Sequence, residues 1–255
     1  MKLRPFGCTL STQTNYMGKK TRHLLLQLGL LLFVASACDT TVKTDKAAIG
    51  DAVVKEERAA PTDTFAVDTA RSEITWIGAK MTGRHNGVID IQQGEFYMTN
   101  GLVTGGNIEM NMATIRSADK TIDEKSNQKL TTHLRSPDFF DSERYPGASF
   151  ELTGIAPYDS TTGQSSNITP KDSELRVKNP SHRITGNLTI RSQTKSVSFP
   201  ARVTLADTLL RAKANFNIDR TKWGLVYRSD NSLGDKTIRA EVNIGLDIVA
   251  ISQKP

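Results

Sequence analysis

From Phe65 onward the chain alternates apolar and polar positions, segment after segment. In "RAKANFNID", Ala212, Ala214, Phe216 and Ile218 share one face, while Arg211, Lys213, Asn215, Asn217 and Asp219 share the other. Period two sends successive side chains to opposite faces of a strand, so this segment predicts a strand with one dry and one wet face. "TIRAEVNIGLDIVA" repeats the pattern, with Val242, Ile244, Leu246 and Ile248 against Glu241, Asn243, Gly245 and Asp247. In "RITGNLTIR" the dry positions are Ile184, Leu188 and Ile190. In "SVSFPARVTLA" they are Val197, Phe199, Ala201, Val203 and Leu205, and in "ASFELTG" Phe150 and Leu152. Earlier strands are predicted over 74–80, which carries Trp76, and over 88–91, 95–99 and 102–114, with turns at 83–87, at 99–101 and around Asp207.

Alternation of this kind means antiparallel sheet, because strands of parallel sheets read as continuous apolar runs. About eight to nine strands and no long amphipathic helix make the chain all-β. Three architectures share this pattern: a packed sandwich, a soluble barrel of about eight strands able to hold one small ligand, and a transmembrane barrel. Aromatic residues are 6% of the chain and form no girdles, and Arg239, Glu241 and Asp247 follow one strand face, so the third is disfavoured. Alternation alone does not separate the first two.

The N-terminus changes the meaning of the net charge of +6. Residues 1–37 hold Lys2, Arg4, Lys19, Lys20 and Arg22 and no acid, so the remainder carries a net charge of +1. These residues read as an export signal: the cationic "KKTRH", the apolar "LLLQLGLLLFV", then "ASAC". The apolar run is too short for a bilayer core, which needs roughly 20 residues. "ASAC" resembles a bacterial lipobox with Cys38 as the lipidated residue, although Ala35 stands where the pattern prefers leucine; plain cleavage near Ala37 is the alternative. Met17 is a second possible start. Cys8 and Cys38 are the only cysteines, so nothing after the leader can form a disulfide or a thiolate site. Residues 38–64 lack aromatics and are rich in Thr, Ala, Lys, Asp and Glu, which predicts a flexible tether before a domain spanning 65–255.

Catalytic and metal signatures are missing from the sequence. His85, His133 and His182 lie apart, with no "HExxH", no "GxSxG" and no phosphate-binding or dinucleotide loop. The mixed charges of "SADKTIDEKSNQK" read as solvated surface. A near-neutral domain without a basic, aromatic-interleaved stripe is a poor nucleic-acid partner. The expectation is a non-enzyme without cofactor or metal.

Three blocks, "HLRSPDFFDSERYPGASFELTGI", "ITGNLTIRSQTKSVSFPARV" and "NFNIDRTKWGLVYRS", resemble the YceI-like family of exported bacterial proteins in the right order. The resemblance implies a lipocalin-like antiparallel up-and-down β-barrel around a long apolar pocket for polyisoprenoid chains, including isoprenoid quinones. It departs where many members carry Arg-Asp shortly before His-Leu, since Leu130 and Thr131 stand in "KLTTHL" here. On this basis 136–141 forms a short helical turn, with Phe139 and Phe140 lining or sealing the barrel. "DRTKWG" closes a hairpin, with Asp219 and Arg220 ion-paired and Trp223 packed on the barrel. The inner-face candidates for ligand contact are Trp76, Phe139, Phe140, Phe150 and Leu152, then Leu188, Ile190 and Phe199, then Phe216, Ile218, Val242 and Ile244. The implied partner is a long-chain isoprenoid lipid or quinone, held by an envelope protein facing the periplasm and attached to the membrane through Cys38. The competing expectation is an interaction barrel with a filled core.

Overall fold

The alternating segments pair into a sheet that closes on itself. A computed structural model of the chain describes residues 40–54, 60–160 and 175–254. The elements in order are β1 (Asp45–Lys46), β2 (Ala48–Asp51), β3 (Asp63–Val67), β4 (Glu73–Lys80), β5 (Gly83–Thr99), β6 (Leu102–Ser117), helix α1 (Glu124–Arg135), β7 (Gly147–Pro157), β8 (His182–Ile190), β9 (Gln193–Ala206), β10 (Leu209–Asp219) and β11 (Ile238–Ser252). Two 3-10 segments, Arg220–Trp223 and Asn231–Lys236, connect β10 to β11. From β4 to β11 each strand pairs antiparallel with the next. β11 then pairs with β4, Ile244 opposite Trp76, so eight strands make a closed up-and-down barrel and the sandwich is excluded.

One turn falls elsewhere than expected. Lys80 pairs with Gly83, so the chain reverses at Met81 and Thr82, and 83–87 is strand. Gly87 serves packing rather than a turn: a Cβ there would fall 2.0 Å from the Arg116 carbonyl oxygen and 2.5 Å from the Trp76 indole. The two short strands predicted over 88–91 and 95–99 are parts of β5, whose register against β6 shifts between Val88 and Asp90, between Ile91 and Gln93 and between Tyr97 and Met98. Such bulges bend a long strand around a small barrel.

The wall is completed from outside the eight strands in two places. β9 and β10 pair with each other only from Ala206/Leu209 to Ala201/Ala214. Beyond that point β1 pairs parallel with Phe216 and Asn217 of β10, and β2 antiparallel with residues 195–198 of β9. At the opposite end β3 lies between β11 and β5, past the start of β4, and buries Phe65. The segment expected as a flexible tether therefore contains wall strands. Its composition is too polar for a core, but backbone pairing needs no apolar side chains, and the edges of β9 and β10 supply unpaired partners.

That docking also corrects the wet face. Asn217 and Asn243 are each 3% exposed, because the N-terminal segment crosses over them. Their amides are satisfied in place: Asn217 Nδ2 donates to the Val42 carbonyl at 2.7 Å, and Asn243 Nδ2 to Asn215 Oδ1 at 2.8 Å and Asn217 Oδ1 at 3.0 Å. Val42 and Thr44 are buried above them. Asn187 holds the segment further on, accepting from the Val53 N–H at 2.9 Å and donating to its carbonyl at 2.7 Å.

Helix α1 was concealed by its charges. Asp123 caps it, accepting from the Ser126 N–H at 2.9 Å, and only Leu134 is fully buried. The turn expected at 136–141 follows it, held by Phe139 N–H to the Ser136 carbonyl and Phe140 N–H to the Leu134 carbonyl, both at 3.0 Å. The leader and Cys38 lie outside the described residues, as do residues 161–174 of the long loop between β7 and β8.

Candidate functional site

Inward-facing side chains do not fill the barrel. They enclose a cavity of about 660 Å³, within the usual range of roughly 300–1,000 Å³ for small-molecule sites. Every inner-face candidate read from the sequence lines it: Trp76 from β4, Phe150 and Leu152 from β7, Leu188 and Ile190 from β8 and Phe199 from β9. Phe216 and Ile218 come from β10, Val242 and Ile244 from β11, and Phe139 and Phe140 from the turn after α1. Phe199 and Phe216 stack with centroids 3.9 Å apart and planes 13° apart, and Phe150 lies 6.0 Å from Phe199. Leu205, the last dry position of β9, lies outside the cavity and is 43% exposed.

The basic lining residues are confined to the end covered by α1. Lys80, His85, Lys129, His133, Arg220 and Arg228 line the cavity there, and no carboxylate lines it among the described residues. Lys129 and Arg228 are exposed, so this end is the mouth. Toward the other end the wall is hydrocarbon, with Val103, Val203, Leu210 and Ile248.

Two histidines at the mouth each have their own carboxylate. His85 Nδ1 lies 2.7 Å from Asp119 Oδ2, and Asp119 is 2% exposed. Burial pushes the Asp119 carboxyl up, but the Thr121 hydroxyl and N–H, at 2.6 and 2.8 Å, together with His85, outweigh it and hold the group below its ordinary value. A depressed folded-state pKa gives stability that is present above the unfolded value and lost as pH falls through the folded one. In urea titrations, the gap in unfolding midpoint between wild type and Asp119→Asn should therefore be widest near neutrality and shrink below about pH 4. A gap independent of pH would contradict this assignment. His133 Nε2 lies 3.0 Å from Asp138 Oδ2, and its ring meets the edges of Phe139 and Tyr227 at 5.1 and 4.9 Å.

Arg220 departs from expectation. Asp219 accepts from the Thr221 N–H and hydroxyl as a cap, and the guanidinium turns instead to four backbone carbonyls. Nε donates to Arg239 at 3.1 Å, Nη1 to Leu225, and Nη2 to Tyr227 and Ile238, both at 3.0 Å. Arg220 is 4% exposed, and burial lowers its pKa against the opposing pull of Asp219. Its charge also lies 5.8 Å from the Phe139 centroid. Trp223 is packed as expected, fully buried with Nε1 donating to the Leu188 carbonyl at 2.9 Å.

The arrangement can hold a long apolar group whose polar end lies at the mouth. Among the described residues neither cavity histidine meets a hydroxyl nucleophile, and no three His, Cys, Asp or Glu side chains are placed to hold a metal ion. No helix among those residues is long and apolar enough to cross a membrane. Sequence reasoning missed the contribution of α1, whose signal is Ile122, Ser126, Leu130 and Leu134 at four-residue spacing, all lining the cavity. It also missed Asp119 and the fork of Arg220, which have no local signature.

A family model described as YceI-like domain matches residues 65–250. Among solved structures, Burkholderia cenocepacia BcnA aligns with a TM-score of 0.50 at 18% identity, over 72% of this chain and 98% of that one. A polyisoprenoid binding domain from Saccharophagus degradans, implicated in plant cell wall breakdown, aligns with a TM-score of 0.50 at 11% identity, over 73% and 97%. The Campylobacter jejuni YCEI protein aligns with a TM-score of 0.43 at 15% identity, over 80% and 91%. Comparison with curated proteins gives no match.

Proposed function

The chain belongs to the YceI-like domain family, and from that premise we propose that its barrel binds one long isoprenoid lipid, of polyprenyl or isoprenoid quinone type. The observation that carries this reading is the hydrocarbon-lined cavity of about 660 Å³ with its polar groups gathered at one end. The tail runs inward past Phe150, Phe199 and Phe216, and the head group stays near Lys129 and Arg228. Each buried methylene contributes roughly 0.8 kcal/mol, so a few isoprene units offset an association cost of about 4–15 kcal/mol. A polyisoprenoid-binding domain with the same barrel supports the ligand class.

In the cell the protein acts as an exported carrier, store or sensor on the bacterial envelope, attached through acylated Cys38 and facing the periplasm. A prenol series of increasing length, titrated into delipidated protein and followed by tryptophan fluorescence, tests the binding. Affinity should rise with each isoprene unit until the cavity is full and then level off. Affinity independent of chain length would favour a barrel whose partners meet its outer surface.

A further inference from the structure

We propose that the α1 end of the barrel is a docking face for an anionic bilayer, with the cavity mouth turned toward the lipid. The first support is where the described chain begins. Thr40 is fixed at this end: its hydroxyl donates to the Lys80 carbonyl, Arg84 Nε donates to the Thr40 carbonyl, and Arg84 Nη2 donates to the Thr41 carbonyl at 2.9 Å. Lys80 pairs with Ile238, whose N–H donates to the Arg228 carbonyl at 2.8 Å, so Thr40, Lys80 and Arg228 share one corner of the mouth. Two residue steps separate Thr40 from Cys38, a reach of roughly 7 Å. With residues 40–54 bound to the wall, the leash is those two steps, not the tether over 38–64 that the sequence suggested. An acyl anchor at Cys38 then brings the bilayer to the mouth; the proposal rests on the functional reading for that anchor.

The second support is charge and apolar exposure together. Lys80, Lys129 and Arg228 rim the cavity, and none of the three forms an ion pair with a carboxylate among the described residues. Beside them Val226 is 59% and Leu233 41% exposed, on the connection between β10 and β11. Of the acids on that connection, Asp230 is turned to the Ser232 N–H at 2.8 Å as a cap and Asp235 is exposed. Cations flanking exposed apolar side chains suit an anionic interface, where the charges meet head groups and the apolar groups enter the acyl boundary. The opposite end also exposes Leu102 and Leu205, and the leash distinguishes the two.

The test uses the full chain with Cys38→Ser, exported and purified without an anchor, and vesicles of phosphatidylcholine with or without phosphatidylglycerol at about one third of the lipid. Partitioning to the anionic vesicles should exceed that to neutral ones at least tenfold or so, and Lys80→Glu/Lys129→Glu/Arg228→Glu should remove about that advantage. Arg228→Glu alone should remove part of it, which guards against a triple variant that fails to fold. Arg202→Glu/Arg211→Glu, away from the mouth, should leave it within about twofold. Equal partitioning to both vesicles, or an equal loss in the distant variant, overturns the docking face even if the wild-type N-terminus proves acylated. Partitioning that depends on the mouth charges supports it even if that N-terminus proves bare.

Discussion

Replacing Arg220 with methionine is expected to lower the unfolding free energy by about 3 kcal/mol or more. The substitution keeps much of the apolar stem but leaves the carbonyls of Leu225, Tyr227, Ile238 and Arg239 without their donor, at a site 4% exposed. A buried carbonyl left without a partner costs about 1–3 kcal/mol, and water can reach only those at the rim. The loss should be local first, because these carbonyls tie the connection after Trp223 to the start of β11 and hold Tyr227 against Phe139, with centroids 5.3 Å apart. Lysine should not rescue it, since an ammonium cannot reproduce the planar fork. Chemical denaturation checks the magnitude, and a variant within about 1 kcal/mol of wild type would show that the connection is held by other contacts.

Deleting residues 40–54 should have an effect of similar size on stability and a larger one on ligand retention. It removes buried Val42 and Thr44 and leaves the edges of β9 and β10 unpaired beside Phe199 and Phe216. Burial of Val42 alone is worth roughly 1.5–3 kcal/mol, and the pairing lost with β1 and β2 adds to it. The barrel should stay closed from Ala201/Ala214 to the hairpin at Asp207, since that pairing does not involve the segment. Bound lipid should therefore leave through the opened seam faster than from the intact chain, measured by transfer to acceptor vesicles, while circular dichroism still reports a barrel. Unchanged release would mean that lipid passes only through the mouth.

The eight-strand barrel and its inner face were legible because both depend on one local signal. A strand that buries one face must alternate, and Ala212 to Ile218 or Val242 to Ile248 do so without exception. What lies outside the barrel was not legible. Asn215, Asn217 and Asn243 alternate as water-facing residues do, yet a buried amide ladder under the N-terminal segment has the same local pattern. Residues 45–51 pair through their backbone, which leaves little trace in side-chain composition. Helix α1 presents Leu130 and Leu134 among polar neighbours, and Ile122 lies before its cap, so its apolar stripe is too thin to stand out. The glycines of "GRHNG" suggested a turn, whereas Gly87 is strand and leaves the space that the Trp76 indole, from its register partner on β4, occupies. The mouth chemistry depends on Asp119 meeting His85 across 34 positions, a pairing that no periodicity predicts.

The most direct test of the account is native mass spectrometry, with organic extraction, of the full chain produced in a bacterial envelope. One isoprenoid lipid per chain is expected, and it should be absent from Ala212→Trp, which fills the cavity beside Val203 and Ile248, provided circular dichroism of the variant still reports the barrel. Wild-type protein that emerges free of lipid and takes up neither polyprenol nor quinone when these are supplied would contradict it.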